Sequence, residues 1–153
     1  MMNQGSKEKY AKVTAVSISL KVGVKKHNVK HAQLRKGYGI IGDAHAGSDH
    51  RQVSLLARES IEKIRSKGLD VGPGDFAENI TTSGINLTNL KIGTKIKINK
   101  DVVLEVSQIG KVCHTRCNIY YQAGDCIMPR EGIFAKVLKG GVVKVGDKLE
   151  VID

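Results

Sequence analysis

Apolar and polar side chains alternate with a period of two from one end of this chain to the other, and this pattern constrains the fold more than any other feature. Val16, Ile18 and Leu20 interleave with Ser17 and Ser19, and Val102, Leu104 and Val106 with Val103, Glu105 and Ser107. Successive side chains of a strand point to opposite faces, so such runs predict half-buried strands. Residues 133–138 predict another, with Gly140-Gly141 as the turn into 142–145. RQVSLL reads as a short strand leading into the one helical candidate, 57–67. There Ala57, Ile61 and Ile64 recur at i, i+4 and i+7, and Gly68 stands as the stop. LKIGTKIKI (90–98) and VKVGDKLEV (143–151) share an apolar-Lys-apolar-Gly turn followed by alternation. Two copies are too few for a solenoid and suit a barrel that reuses one strand-turn-strand solution. Strands throughout, one helix and no regular strand–helix rhythm weigh against a doubly wound parallel sheet. The expected fold is mainly β, a closed β-barrel with one or two short helices.

A chain of 153 residues suits one domain, expected over 11–153 behind a flexible, polar N-terminus at 1–10. With 41% hydrophobic and 26% charged residues it is neither disordered nor a membrane span, and no apolar stretch resembles a secretory signal. A cytoplasmic protein without membrane association is expected. Only two Phe and four Tyr, with no Trp, argue against a base-stacking nucleic-acid platform. The net charge of +10 is concentrated at 21–42, which holds Lys21, Lys25, Lys26, Lys30, Arg35 and Lys36 and no acid. Such a run forms a solvated face or a field that attracts a small phosphate-bearing ligand; without interleaved aromatics it does not point to nucleic acid.

The sharpest chemical cluster is GKVCHTRCNIYYQAGDCIMPR (110–130), which contains all three cysteines, Cys113, Cys117 and Cys126. An odd thiol count without an export signal disfavours a disulfide framework. Three readings follow: small buried hydrophobes, a zinc or iron–sulfur site, or a reactive thiol. C-x3-C-x8-C is not a standard zinc spacing, and adjacent Cys113 and His114 on extended backbone would face opposite ways. A thiol reacts as its thiolate, which neighbouring cations favour, so Cys113 beside Lys111, His114 and Arg116 is the preferred nucleophile. Two Gly-rich loops add polar reach. GDAHAGSDHRQ offers Asp43, His45, Asp49, His50 and Arg51; GPGDFAEN offers Asp75, Glu78 and Asn79. Read alone, each is equally a charged surface turn, and H-x4-H lacks the spacing of a helical zinc motif.

Taken in order, KVGVKKHNV, GIIGDAHAG, HRQVSLLARESIE, GPGDFAENITTSGINLTNLKIGTKIKI, VVLEVSQIGKVC and EGIFAKVLKGGVVKVGDKLEV resemble the MOSC domain, named for the C-terminal region of molybdenum cofactor sulfurases. The resemblance runs from about residue 11 to the C-terminus and implies a MOSC-type closed β-barrel. It also implies that Cys113, after the strand that follows the Gly-Thr turn, carries sulfur as a persulfide or ligates the molybdenum of a molybdopterin cofactor. Cofactor-binding roles are then expected for Asp43, His45, Arg51, Glu78, Asn79, Lys111 and Arg116, with Cys117 and Cys126 as resolving or accessory thiols. Many members read Arg-x-Pro-Cys where this chain has Gly110-Lys111-Val112-Cys113. The large sulfurases carry a separate pyridoxal-phosphate desulfurase domain. None is expected here, so a cysteine desulfurase or a cofactor biosynthesis or acceptor protein is the expected partner. A sulfur transferase, a molybdenum-dependent reductase of N-hydroxylated compounds and a non-catalytic metal or cofactor carrier are the activities this resemblance leaves open.

Overall fold

In the computed structural model, the described residues are 11–21, 24–47, 49–110 and 131–152. They form eleven strands, one α-helix and one 3-10 turn: β1 (Ala11–Ile18), β2 (His27–Val29), β3 (His31–Arg35), β4 (Gly39–Ile40), β5 (Val53–Ala57), α1 (Arg58–Arg65), β6 (Ile80–Ser83), the 3-10 turn Leu87–Asn89, β7 (Lys95–Ile98), β8 (Val102–Ile109), β9 (Ile133–Lys139), β10 (Gly141–Lys144) and β11 (Lys148–Ile152). Seven strands close on themselves in the order β1-β11-β7-β8-β9-β5-β6, which is the expected closed barrel. Every pairing in it is antiparallel except β5 with β6. No helix among these residues is long and apolar enough to cross a membrane.

The barrel closes where Ala11 and Lys12 of β1 meet Leu149 and Lys148 of β11. Farther along, β1 exchanges that neighbour for β2, with Val16 opposite Val29. The sequence echo is structural: β7 and β11 lie side by side, with Leu149 opposite Ile98. Each follows the same turn. Thr94 N–H donates to Lys91 O and Asp147 N–H to Lys144 O, with Gly93 and Gly146 at φ +96° and +95°. Positive φ at the third turn position is the type II requirement that glycine meets without strain. A second sheet, β10-β3-β4, contributes Ala32, Leu34, Ile40 and Val143 to the barrel core.

β5 explains why RQVSLL reads as a continuous apolar run. Val53 and Leu55 face the barrel core, whereas Leu56 faces a second cluster with Ile61 and Ile64 of α1, Val71, Phe76 and Phe134. The helix is shorter than expected at both ends: Ala57 is its N-cap and Ser66 its C-cap. β1 departs from simple alternation. A register shift between Val13 and Ala15 breaks the parity. The strand ends at Ile18, Leu20 is 87% exposed, and Ser17 and Ser19 are buried. Both faces of β1 are therefore covered, and its polar face is satisfied by hydrogen bonds.

Candidate functional site

Ser17 and Ser19 are buried because two Gly-rich loops and the basic stretch fold onto the end of β1. Asp43, in the first loop, is fully enclosed and receives three donors at one place. Its Oδ1 accepts Ser19 N–H at 3.0 Å and the Lys26 ammonium at 2.8 Å, and its Oδ2 accepts His45 N–H at 3.0 Å. The Lys26 ammonium also donates to Ser19 Oγ at 3.1 Å, and both charged side chains are 0% exposed. Burial by itself would raise the Asp43 carboxyl. The His45 side chain, the Lys26 ammonium and the backbone N–H groups outweigh it and hold the group well below the usual carboxylate range.

The second loop joins the first through the same lysine. Lys26 N–H donates to Gly74 O at 2.8 Å. A side chain at Gly74 would lie 2.4 Å from Lys26 O, and its φ of +91° is also one that glycine tolerates. Gly74 N–H donates to Glu78 Oε2, as does the Thr81 hydroxyl, while Phe76 N–H donates to Oε1. Glu78 is wholly buried, and burial pushes its carboxyl up despite these hydrogen bonds. Asn79 ties three strands together: its Oδ1 accepts Ser54 N–H and Oγ–H, and its Nδ2 donates to Ser17 O at 3.1 Å. The polar atoms of Glu78 and Asn79 are thus engaged by backbone and hydroxyl groups that shape the loop.

From Asp43 the site runs outward along the barrel wall. His45 Nδ1 stands 3.6 Å from Asp43 Oδ2; it is buried and has no hydrogen-bond partner. The His45 ring packs on Phe134 of β9 with centroids 6.0 Å apart, and the Arg51 guanidinium lies 5.4 Å from the centre of the same ring. Arg51 Nε–H donates to Gln108 Oε1 at 3.0 Å, and the Ser107 hydroxyl donates to His50 O. Gln108 stands at the end of β8, where Gly110 N–H donates to Gly132 O at 2.7 Å and joins the end of β8 to the start of β9. Asp43, His45 and Arg51 are therefore brought together, with Lys26, Phe134 and Gln108 beside them. Asp49 and His50 are exposed. Cys113, Cys117, Cys126, Lys111, His114 and Arg116 lie outside the described residues, as does the N-terminus 1–10.

Sequence reasoning named Lys26 only as one of a run of cations and passed over Phe134. Nothing in the run of cations separates Lys26 from its exposed neighbour Lys25. Phe134 left a faint signal: the chain has only two Phe, and both belong to the cluster under α1. A cavity of about 460 Å³ opens elsewhere, between α1 and the 85–88 segment, and contains none of the expected site residues. Glu131 on its wall accepts the Ser60 hydroxyl at 2.5 Å and the Lys63 ammonium at 3.2 Å. Among the described residues, no group of three His, Cys, Asp or Glu side chains is placed to hold a metal ion.

A barrel of seven strands with this loop arrangement defines a class, and the sequence match agrees: residues 42–150 match the MOSC domain, so the chain belongs to the MOSC domain family. Among solved structures it resembles YuaD from Bacillus subtilis, with a TM-score of 0.75 and 22% identity over 92% of this chain and 94% of that one. YiiM from Escherichia coli has a TM-score of 0.64 and 20% identity, covering 93% of this chain and 70% of the other. YiiM from Geobacillus stearothermophilus has a TM-score of 0.67 and 17% identity, covering 94% and 75%. At these identities the likeness is one of fold. No curated protein matches the chain.

Proposed function

We propose that this MOSC domain acts in molybdenum cofactor chemistry, with Cys113 carrying a sulfane sulfur as a persulfide or ligating the metal. The observation that supports this reading most is the assembly of Asp43, His45 and Arg51 beside the ends of β8 and β9. Cys113 stands three residues beyond Gly110 in the chain, a covalent reach of at most about 11 Å. The donor set suits an anionic pterin cofactor through Arg51, whose planar guanidinium matches phosphate geometry. Arg51 would hold such a group, with His45 beside it on the Phe134 ring, and Lys111 and Arg116 would add positive charge. The cofactor, when bound, supplies a metal centre that accepts soft sulfur ligands.

In the persulfide reading, the Cys113 thiolate attacks the terminal sulfur of a donor persulfide. The donor S–S bond breaks as the new one forms on Cys113, and the donor departs as a thiolate with no net redox change. A cysteine desulfurase is the donor that fits, in a cytoplasmic setting, and a cofactor-dependent protein is the acceptor. Intact-protein mass spectrometry after incubation with a desulfurase and cysteine tests this, with elemental analysis in parallel. One added sulfur atom mapped to Cys113 and lost in Cys113→Ser is the expected result; full loading of that variant refutes the assignment. Tightly bound molybdenum without added sulfur would favour the reductase instead. Zinc or iron lost on replacing Cys117 or Cys126 would make the cluster structural.

A further inference from the structure

Lys26 has no part in the sulfur chemistry proposed above, yet its ammonium is fully buried against an equally buried carboxylate. A buried ion pair regains through its own attraction about what it loses in desolvation, so stability alone explains its presence poorly. Its location is more informative. The carboxylate it holds lies between two backbone N–H groups and one imidazole.

We infer that Lys26 and Asp43 are positioning residues for His45: the ammonium fixes the carboxylate so that the imidazole keeps its proton on Nδ1 and offers Nε2 as the site's proton acceptor. The hydrogen bonds leave little choice. Oδ1 is taken by Lys26 and Ser19 N–H, and Oδ2 accepts His45 N–H, with His45 Nδ1 3.6 Å away. A bare Nδ1 would set its lone pair against those of the carboxylate, whereas a protonated Nδ1 is attracted to it. The separation exceeds a hydrogen bond, and contacts of this kind shorten when a ligand is bound. Nδ1 is also a buried polar atom with no other partner.

The role rests on the Cys113 reading in one respect, the source of the proton. The S–H bond of the thiol breaks, an N–H bond forms at Nε2, and the thiolate is left ready for sulfur transfer. The imidazolium charge is then balanced by Asp43. Among the described residues, the charged groups around His45 are Asp43 and Lys26 on one side and Arg51, which packs on the same Phe134 ring.

The test is nitrogen-15 NMR of the histidines in the full chain between pH 5 and 9. His45 is assigned by loss of its signals in His45→Gln, with exposed His27, His31 and His50 as internal controls. The expected neutral form carries its proton on Nδ1. Asp43→Asn should move the His45 proton toward Nε2, because its amide oxygen stays with Lys26 and Ser19 N–H and its NH2 then faces Nδ1, while the controls keep the tautomer they show in the unaltered protein. A proton on Nε2 in the unaltered protein, or an Nδ1 proton retained in Asp43→Asn, overturns the inference. If Asp43→Asn does not fold, the tautomer of the unaltered protein still decides. This readout needs no sulfur, so a chain with the His45 signature that never loads Cys113 refutes only the persulfide reading. A chain that loads Cys113 with the wrong tautomer refutes only the positioning role.

Discussion

Replacing Lys26 by Met exchanges one unbranched side chain for another of similar length and leaves Asp43 as a buried carboxylate without its cation. Removing one partner of a buried pair costs about 3–5 kcal/mol. Two backbone N–H groups at 3.0 Å remain on the carboxylate, so the lower end, about 3 kcal/mol, is expected. Asp43→Asn has a similar cost because it leaves an ammonium at 0% exposure with only neutral acceptors, the amide oxygen and Ser19 Oγ. The double variant carries no uncompensated charge and should cost about as much as either single change, giving a coupling of about 2–3 kcal/mol. Urea unfolding of all four proteins at pH 7 measures it. The pH dependence gives a second check. Asp43 titrates below its usual range in the folded state, so the pair's contribution is present above about pH 4 and is lost as pH falls through the folded value. The Lys26→Met penalty should therefore be largest near neutrality and shrink toward pH 3. Additivity within about 0.5 kcal/mol, or a penalty flat with pH, would refute the ion-pair argument.

Glu78 behaves in the opposite sense. Its folded carboxyl is raised from 4.5, so its contribution is full below that value and declines as pH rises through the folded one. The stability advantage of the unaltered protein over Glu78→Gln should then narrow from about pH 5 upward, and parallel profiles in urea titrations would contradict this. Gly74→Ala should destabilise by more than about 2 kcal/mol, because its methyl group meets Lys26 O at 2.4 Å on a left-handed backbone. A melting temperature within a degree or two of the parent would refute that clash. Ala77, by contrast, is a non-glycine residue at φ +64°. Ala77→Gly should release strain and stabilise by about 0.5–1 kcal/mol, read as a higher urea midpoint at unchanged slope.

The sequence revealed the barrel because its signals are local. Alternation along 102–107 maps onto β8 residue by residue, with Val102, Leu104 and Val106 buried. The duplicated Lys-apolar-Gly turn identified two strands that prove to be partners. Failure came where tertiary cover overrides parity. Leu20 alternates correctly with its neighbours yet points to solvent, because a register shift and the loops over β1 exchange which face is buried. The site shows the same division. Asp43, His45 and Arg51 are recognisable as polar residues on a Gly-rich loop, and the structure joins them. That Asp43 is held by Lys26 depends on residues 17 positions apart folding back on one another. No short pattern encodes that return, and a lysine in a run of lysines carries no mark of its burial.

The seam between β1 and β11 also matters for how the chain reaches this state. It joins the first described strand to the last, so the ring cannot form until nearly the whole sequence is available. Until then β1 and β7 each keep an open edge on the side that β11 will occupy. Such edges template wrong pairings between molecules. A chain shortened before Lys148 would expose both permanently, and its failure would show as aggregation during synthesis rather than as a modest loss of stability.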